Sequence, residues 1–155
     1  GCRFDDPDAV EKVLRLKGRG ADKGLILLVN SMPQVAGLLD LRHVDPGVWE
    51  VTWPGPVTWV IPASPRVPRW LTGGHAGLAV RQSAHPLVQH LTAVAGPLVS
   101  TSANPSGRPP ARSLLRARRY FPRGVDYFMP GRLGDARGPT EIRDAVSGCV
   151  LRKGG

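Results

Sequence analysis

The sequence predicts an α/β or α+β fold built on a twisted, largely mixed sheet with flanking helices. Short apolar runs typical of buried strands alternate irregularly with amphipathic segments, and the strand-like runs outnumber the clear helices. We find no internal repeat and no low-complexity tract in the 155 residues. A single domain over residues 1–155 is therefore expected.

A helix followed by a cation-rich segment opens the chain. Pro7 suits the first helical position, and apolar residues then recur at helical spacing until glycines end the helix. Lys17, Arg19 and Lys23 follow one another closely before the apolar run 25–29, which predicts a buried strand. Cations stabilise the C-terminal end of a helix dipole, so a purely structural role is one interpretation. The other, which we favour, is a polyphosphate-binding site at the start of the strand.

The remaining elements are predicted from periodicity and from turn residues. Helices are expected over residues 33–40, 46–51, 111–120 and from His85-Pro86 onward, and strands over 57–61, 78–81, 127–129, 140–144 and 149–152. Val94 is expected on the inward face of its helix, and Leu114 and Leu115 likewise. Trp53 and Trp59 are interpreted as core residues rather than platforms for nucleic-acid bases.

Residues 96–110 are the most unusual stretch. An apolar strand-like run passes into small hydroxyl, amide and glycine residues, including Ser100, Ser102 and Asn104. Small side chains let backbone N–H groups approach an anionic ligand closely. The alternative is an ordinary Ser/Asn/Gly/Pro connector, and composition alone favours that interpretation. The cations elsewhere in the chain shift the balance towards a binding loop.

The net charge of +9 and the pI near 10.8 indicate a surface that concentrates polyanions. An arginine-rich helix face at residues 112–123 is a candidate for contact with an RNA backbone, although a solvated face or a compositional bias towards arginine explains the charge equally well. The 2 cysteines and 4 histidines form neither a disulfide framework nor a metal-ligand pattern. No membrane span or leader is recognisable, so a cytoplasmic setting is expected.

Four blocks of sequence together resemble the TsaC/YrdC family, the threonylcarbamoyl-AMP synthases. They occur in the family's order and spacing: Leu-Lys-Gly-Arg at 16–19 with Asp-Lys-Gly-Leu at 22–25, Trp-Pro-Gly-Pro-Val-Thr at 53–58, Leu-Ala-Val-Arg at 78–81, and Ser-Thr-Ser-Ala-Asn-Pro-Ser-Gly at 100–107. The resemblance runs from Gly1 to about Lys153. It implies a YrdC-like twisted sheet with a concave, basic face.

The resemblance also implies a reaction. The family joins L-threonine, bicarbonate and ATP, accompanied by Mg²⁺, into threonylcarbamoyladenylate and releases pyrophosphate. Other proteins then transfer the threonylcarbamoyl group to adenosine 37 of tRNA. The rival interpretation of the same basic surface is a module that binds tRNA or double-stranded RNA without catalysis.

Residue roles follow from the same resemblance. Positions for ATP map to Arg19, Lys23, Ser102 and Arg152, with Lys17 also facing the phosphates and Asn104 bracing the loop or contacting nucleotide. Lys17, Arg19 and Lys23 are the expected catalytic group, which acts by charge neutralisation rather than by a covalent nucleophile. Positions for threonine map to Arg81, Ser100 and Thr140; no metal-binding residue is expected.

The chain opens at Gly1 without a methionine. The family carries an upstream Pro-Thr-Glu segment and a glycine turn that contribute to threonine binding, and these are not among residues 1–155. We therefore expect an N-terminally truncated YrdC-like domain in which part of the threonine pocket is missing.

Overall fold

The structure, a computed structural model, describes residues 1–134 and 138–155. Within them a 7-stranded sheet has the order β1-β5-β2-β4-β3-β6-β7. The strands are β1 (Cys2–Arg3), β2 (Ile26–Val29), β3 (Val57–Pro62), β4 (Gly77–Gln82), β5 (Leu98–Ser100), β6 (Glu141–Asp144) and β7 (Val150–Arg152). Two pairs, β2 with β4 and β3 with β6, are parallel, and the other four pairs are antiparallel. The predicted mixed sheet is confirmed.

Helices and short 3₁₀ turns connect these strands. The helices are α1 (Pro7–Lys17), α2 (Gly47–Glu50), α3 (Arg69–Thr72), α4 (Pro86–Ala95) and α5 (Leu114–Tyr120). Single 3₁₀ turns lie at Ala21–Lys23, Met32–Gln34 and Ala36–Leu38. Across the described part of the chain, none of the helices has the length and apolar character that crossing a bilayer requires.

Helix α1 begins and ends where its sequence predicts. The Asp6 carboxylate caps its first turn by accepting a hydrogen bond from the Ala9 amide at 2.9 Å. At the other end Gly18 adopts the left-handed conformation with φ of 58°, which a residue without a Cβ reaches at little cost. Lys17 is therefore the last helical residue, and its side chain lies at the point where the chain leaves the helix.

The strand register gives the sheet a core face. Leu27, Val80 and Trp59 lie opposite one another on adjacent strands and are 0%, 0% and 3% exposed. Trp53 is also buried and stacks on Trp49 with ring centroids 6.0 Å apart. The prediction that Trp53 and Trp59 belong to the core is confirmed.

The alternate residues of the same strands form a second face. Because side chains alternate along a strand, residues flanking Leu27, Val80 and Trp59 point away from the core. Here the register aligns Leu28 with Arg81, and because Trp59 pairs with Val80, Arg81 and Thr58 face each other one residue further along β4 and β3. Thr58 in turn pairs with Ile142, and Ile142 with Arg152. We call these five residues the arginine row; Ser100 lies on the same face, beside Ile26.

Two predicted elements are absent. Residues 33–40 do not form a continuous helix but two 3₁₀ turns, closed by hydrogen bonds from Val35 to Met32 and from Leu38 to Val35. Pro33 and Gly37 are both poor helix formers, so a helix of that length is not sustained. Residues 127–129 form no strand, and Tyr127 is 70% exposed. A strand needs a hydrogen-bonded neighbour, and none of the described strands pairs with this segment.

The inward positions predicted on two helices are wrong. Leu114 and Leu115 are 41% and 61% exposed, because α5 begins only at Leu114 and Phe121, just beyond its end, occupies the buried position instead. Val94 is 76% exposed on α4. The buried residue of α4 is Thr92, whose hydroxyl is satisfied by donating to the Val88 carbonyl at 2.9 Å, so a polar side chain replaces the expected apolar contact.

Leu27→Ala should lower the free energy of unfolding by about 2–5 kcal/mol, since it leaves a cavity in a fully buried part of the core face. Val94→Ala, at the exposed position on α4, is the matched control and should change stability by less than about 0.5 kcal/mol. Urea titrations of both variants measure the difference. Equal losses would contradict the assignment of the core to this face.

Candidate functional site

The antiparallel pairing of β2 with β5 brings two predicted segments to one edge of the sheet. Ile26, at the start of β2, lies opposite Ser100, at the end of β5. The residues that precede Ile26 and those that follow Ser100 therefore leave the sheet at the same edge. This places Lys23 and the loop beginning at Thr101 side by side, as a binding site built from both segments requires.

Lys17 holds the loop through its backbone. Its side chain is 6% exposed, and its ammonium donates to the carbonyl oxygens of Ser102 and, at 2.6 Å, of Asn104. The Lys17 carbonyl in turn accepts from the Ser106 amide at 2.7 Å. Burial lowers the pKa of Lys17 below its ordinary value, and the positive charge of Arg19 lowers it further. Two of the three ammonium donors are thus committed to the protein.

Arg19 and Lys23 differ in how their side chains are used. The Arg19 guanidinium donates to the carbonyl oxygens of Lys23 at 3.2 Å and Gly24 at 3.0 Å, so it closes the turn that leads into β2. Its Nε is buried without a partner among the described residues. Lys23 is exposed, at the end of the 3₁₀ turn Ala21–Lys23. A partly committed guanidinium beside an exposed ammonium leaves donors available to an anion.

Asn104 braces the loop from within. Its side-chain amide donates to the carbonyl oxygens of Arg108 at 2.6 Å and Pro105 at 3.1 Å. Its Oδ1 is buried and has no hydrogen-bond donor in the described structure. Ser102, by contrast, is exposed. The loop therefore offers the Ser102 hydroxyl outward, while the carboxamide fixes its shape.

The Arg81 guanidinium, in the arginine row, lies in an unusual electrostatic environment. Arg81 is half-buried, and its Nε has no hydrogen-bond partner within residues 1–134 and 138–155. Burial lowers the pKa of Arg81 from its ordinary value, and the charge of Arg152 lowers it further, so the two guanidinium groups influence each other. Two like charges on one face, one of them desolvated, favour binding of an anion between them.

Ser100 and Thr140 flank Arg81 on opposite sides along the strand direction. Ser100 lies two strands away from Arg81 and level with Ala79, which is two residues nearer the Lys23 edge of the sheet. This offset corresponds to roughly 12 Å between the Cα atoms of Ser100 and Arg81. Thr140 directly precedes β6 at the other edge, and its carbonyl accepts from Arg152 at 2.7 Å. The three predicted threonine-binding residues therefore lie on or at the edges of the second face, with Ser100 and Thr140 on opposite sides of Arg81.

A cleft of about 300 Å³ adjoins the loop. Lys17, Thr101 and Ser102 form its polar part, and side chains of α1, α5 and residues 125–133 form its apolar part. Arg19, Lys23, Arg81 and Arg152 do not line it. The predicted residues thus fall into three groups: Lys17, Ser102 and Asn104 at the loop and cleft, Arg19 and Lys23 at the turn before β2, and Arg81 and Arg152 on the second face of the sheet. Ser100 lies at the end of β5, where the loop begins, and Thr140 directly precedes β6.

Thr58 is the residue that the sequence interpretation missed. It is 0% exposed, yet it lies on the second face, opposite Arg81 and beside Ile142. The sequence does predict the face on which Thr58 lies, because Val57 and Trp59 alternate with it in the predicted strand and are core residues. What the sequence did not supply was the register that sets it against an arginine.

Comparison with known proteins identifies the family. The Sua5_yciO_yrdC family model, described as "Telomere recombination", matches residues 1–154. The chain belongs to the Sua5/YciO/YrdC family. Proteins named threonylcarbamoyl-AMP synthase from Stutzerimonas stutzeri and Halorhodospira halophila are each 49% identical to it, over 98% and 99% of this chain and 83% and 81% of their own lengths. A Pseudomonas aeruginosa relative of the same name is 48% identical, over 98% and 83%. The predicted resemblance is confirmed.

Solved structures of the Sua5/YciO/YrdC family share the fold. P. abyssi Sua5 complexed with L-threonine superimposes with a TM-score of 0.87 at 31% identity, covering 97% of this chain and 45% of that one. This chain therefore spans less than half of the P. abyssi protein. E. coli YciO gives a TM-score of 0.81 at 23% identity, over 99% of this chain and 77% of YciO, which is a likeness of fold alone.

Lys17→Met should destabilise the protein by roughly 1.5–3 kcal/mol, because it leaves the Ser102 and Asn104 carbonyls without their charged donor. Hydrogen exchange at the Asn104 and Ser106 amides should accelerate as the loop loosens. Lys12→Met in the same helix removes an exposed ion pair with Asp126 and should cost less than about 1 kcal/mol. Unchanged exchange at the loop amides in Lys17→Met would show that Lys17 does not hold the loop.

Proposed function

We propose that this chain is a threonylcarbamoyl-AMP synthase, which forms L-threonylcarbamoyladenylate and pyrophosphate from L-threonine, bicarbonate and ATP. The observation that carries the proposal is the arginine row: a desolvated guanidinium whose Nε has no hydrogen-bond partner in the described part of the chain, influenced by a second arginine, with hydroxyl side chains to either side. The names of the relatives at 48–49% identity support the same activity.

The chemistry requires two bonds to form in sequence. The threonine nitrogen attacks the bicarbonate carbon, and water leaves, which gives a carbamate. A carbamate oxygen then attacks the α-phosphorus of ATP, the bond from that phosphorus to the bridging oxygen breaks, and pyrophosphate departs. No covalent attachment to the protein is needed, so the contribution of the chain is to hold two anions together and to stabilise the charge that develops on the phosphates as the adenylyl group is transferred.

The phosphate side of the reaction is assigned to the Lys23 edge. Lys23 and the free donors of Arg19 face the polyphosphate, and the Ser102 hydroxyl donates from the loop opposite. Arg152, which the resemblance assigns to ATP, lies instead on β7, and its guanidinium donates to the Thr140 carbonyl at the other edge. Lys17 and Asn104 hold the loop in the conformation that presents Ser102, a role supported by their bonds to loop carbonyls. For Lys17 this replaces a direct phosphate contact as its main contribution.

The threonine side is assigned to the second face. The Arg81 fork binds the α-carboxylate of the substrate, since a guanidinium presents paired N–H donors to a carboxylate. Ser100 lies on the side towards the phosphates, and Thr140 lies on the side away from them. In this arrangement the amine of threonine points towards the β2–β5 edge, where the carbamate oxygen must meet the α-phosphorus.

Mg²⁺ enters the proposal as part of the ATP substrate. Among residues 1–134 and 138–155 there is no group of three or more His, Cys, Asp and Glu side chains placed to hold a metal ion. Mg²⁺ bound with such a substrate is held mainly by phosphate oxygens and water, and one or two carboxylates of a protein complete its shell.

The product is proposed to serve modification of tRNA at adenosine 37 in the cytoplasm, with separate proteins carrying out the transfer. Direct contact with tRNA or double-stranded RNA is a second candidate function, favoured by one observation. Arg116, Arg118 and Arg119 are all exposed on α5, and no acidic side chain pairs with them among the described residues. Such a face suits a phosphate backbone.

The protein supplied with ATP, labelled bicarbonate and L-threonine should release pyrophosphate only when threonine is present. Arg81→Ala should raise the KM for threonine at least about 10-fold, as expected for loss of a charge-assisted carboxylate contact, and leave the KM for ATP within about twofold. Arg66→Ala, on an exposed loop, is the control. Absence of threonine-dependent release by the unaltered protein would refute the proposed function.

The double variant Arg116→Glu with Arg119→Glu should weaken tRNA binding. The slope of the logarithm of the association constant against the logarithm of the salt concentration should become shallower by roughly 1–2, because each lost phosphate contact contributes about 0.9 to this slope in duplexes. The same reversal at Arg66 and Arg69, which are exposed elsewhere, matches the change in net charge. Filter binding over a salt series measures both. If the two double variants behave alike, α5 has no specific part in binding RNA.

A further inference from the structure

Thr58 and Arg81 are neighbours that each carry a buried polar atom without a hydrogen-bond partner among the described residues. Trp59 of β3 pairs with Val80 of β4, so one residue further the antiparallel register brings Thr58 and Arg81 next to each other, and Cβ atoms of such facing residues are about 4.5–5.5 Å apart. The Thr58 hydroxyl is buried at 0% side-chain exposure without a hydrogen bond, and the buried Arg81 Nε–H is likewise unbonded, among residues 1–134 and 138–155. Two adjacent buried polar groups without hydrogen bonds are unusual in a folded protein.

A hydroxyl at this position costs stability. An unsatisfied buried hydroxyl disfavours folding, whereas valine has the same shape and no such penalty. Two other threonine hydroxyls are satisfied: the Thr92 hydroxyl donates to the Val88 carbonyl, and the Thr52 hydroxyl donates to the Trp49 carbonyl and accepts from the Trp59 indole. A packing role alone therefore does not account for threonine at position 58.

The chemistry of the row singles out Thr58 as a partner for Arg81. A guanidinium only donates, and a hydroxyl can accept. The other members of the row are Leu28 and Ile142, which are apolar, and Arg152, which again only donates. Thr58 is thus the one side chain of the arginine row that can accept a hydrogen bond from the Arg81 Nε–H.

We propose that Thr58 is a positioning residue for the carboxylate site: when substrate is bound, its hydroxyl accepts from the Arg81 Nε–H and turns the paired Nη donors towards the substrate carboxylate. The inference rests on the proposed function. A bound carboxylate offsets the repulsion between Arg81 and Arg152 and removes the remaining water from the guanidinium. The Nε–H must then find an internal acceptor, because an unpaired donor is most costly where water is excluded.

Thr58→Val tests the proposal, because it removes the hydroxyl and keeps the shape. We expect the KM for threonine to rise about 10-fold, equivalent to one hydrogen bond to a charged group, with the KM for ATP within about twofold and the melting temperature not lowered. Thr58→Ser should restore the threonine KM. Val60→Ala, on the same strand and face, changes packing without removing a polar atom and should leave the threonine KM unchanged.

The outcomes separate this proposal from the proposed function. If the unaltered protein is active and Thr58→Val matches it in threonine KM, the positioning role is refuted and the synthase function stands. If the unaltered protein shows no threonine-dependent pyrophosphate release, the function fails and the positioning role with it. A rise in both KM values, or a rise that Thr58→Ser does not restore, would make Thr58 a packing residue only.

A measurement on the unaltered protein tests the proposal even if Thr58→Val does not fold. The Arg81 Nε–H resonance, assigned by its loss in Arg81→Lys, should exchange more slowly with solvent when L-threonine is added. Adding ATP alone should not produce this change. An Arg81 Nε–H resonance whose exchange is the same with and without threonine would overturn the proposal.

Discussion

The site depends on the antiparallel pairing of β2 with β5. Because Ile26 lies opposite Ser100, the cationic turn before β2 and the hydroxyl-rich loop after β5 leave the sheet together. Parallel pairing of the same strands would place those segments at opposite edges, some 10 Å or more apart for strands of this length. Neither segment alone surrounds an anion. Their proximity is a property of strand direction, and the local sequence then supplies the chemistry.

The second face adds a different kind of constraint. On the core face each strand contributes apolar side chains that need only fit in volume. On the second face Arg81, Thr58 and Arg152 are fixed in one line by register across four neighbouring strands, so a shift of one residue would move each to the core side. The polar groups of this row therefore depend on the same hydrogen bonds that hold the sheet together.

Much of the fold could be read from the sequence because local signals agreed with the final structure. Pro7 and Gly18 set the ends of α1, and the apolar runs at β2, β3 and β4 gave the central strands. The failures have physical causes. Residues 127–129 have strand composition but no neighbouring strand, and Leu114 and Leu115 follow helical periodicity in a helix too short to bury them. Pairing and helix length are tertiary properties, which periodicity does not contain.

The candidate site shows the same division. The sequence predicts Lys17, Arg81 and Ser102 as members of a site, but not what each contacts. Lys17 has a side chain of the type that binds phosphate, yet its ammonium donates to backbone carbonyls, and only the folded chain reveals this. Thr58 was overlooked because a threonine in a strand is ordinary until the register places it against a buried guanidinium.

The tether that Lys17 forms has a consequence for how such a loop can change. Both of its hydrogen bonds end on carbonyl oxygens, which every residue possesses whatever its side chain. These two bonds are consequently independent of the identity of residue 102, whereas Asn104 also braces the loop with its own side chain. The group displayed at position 102 can be exchanged during divergence without rebuilding the scaffold, so ligand preference at that place and architecture can evolve separately.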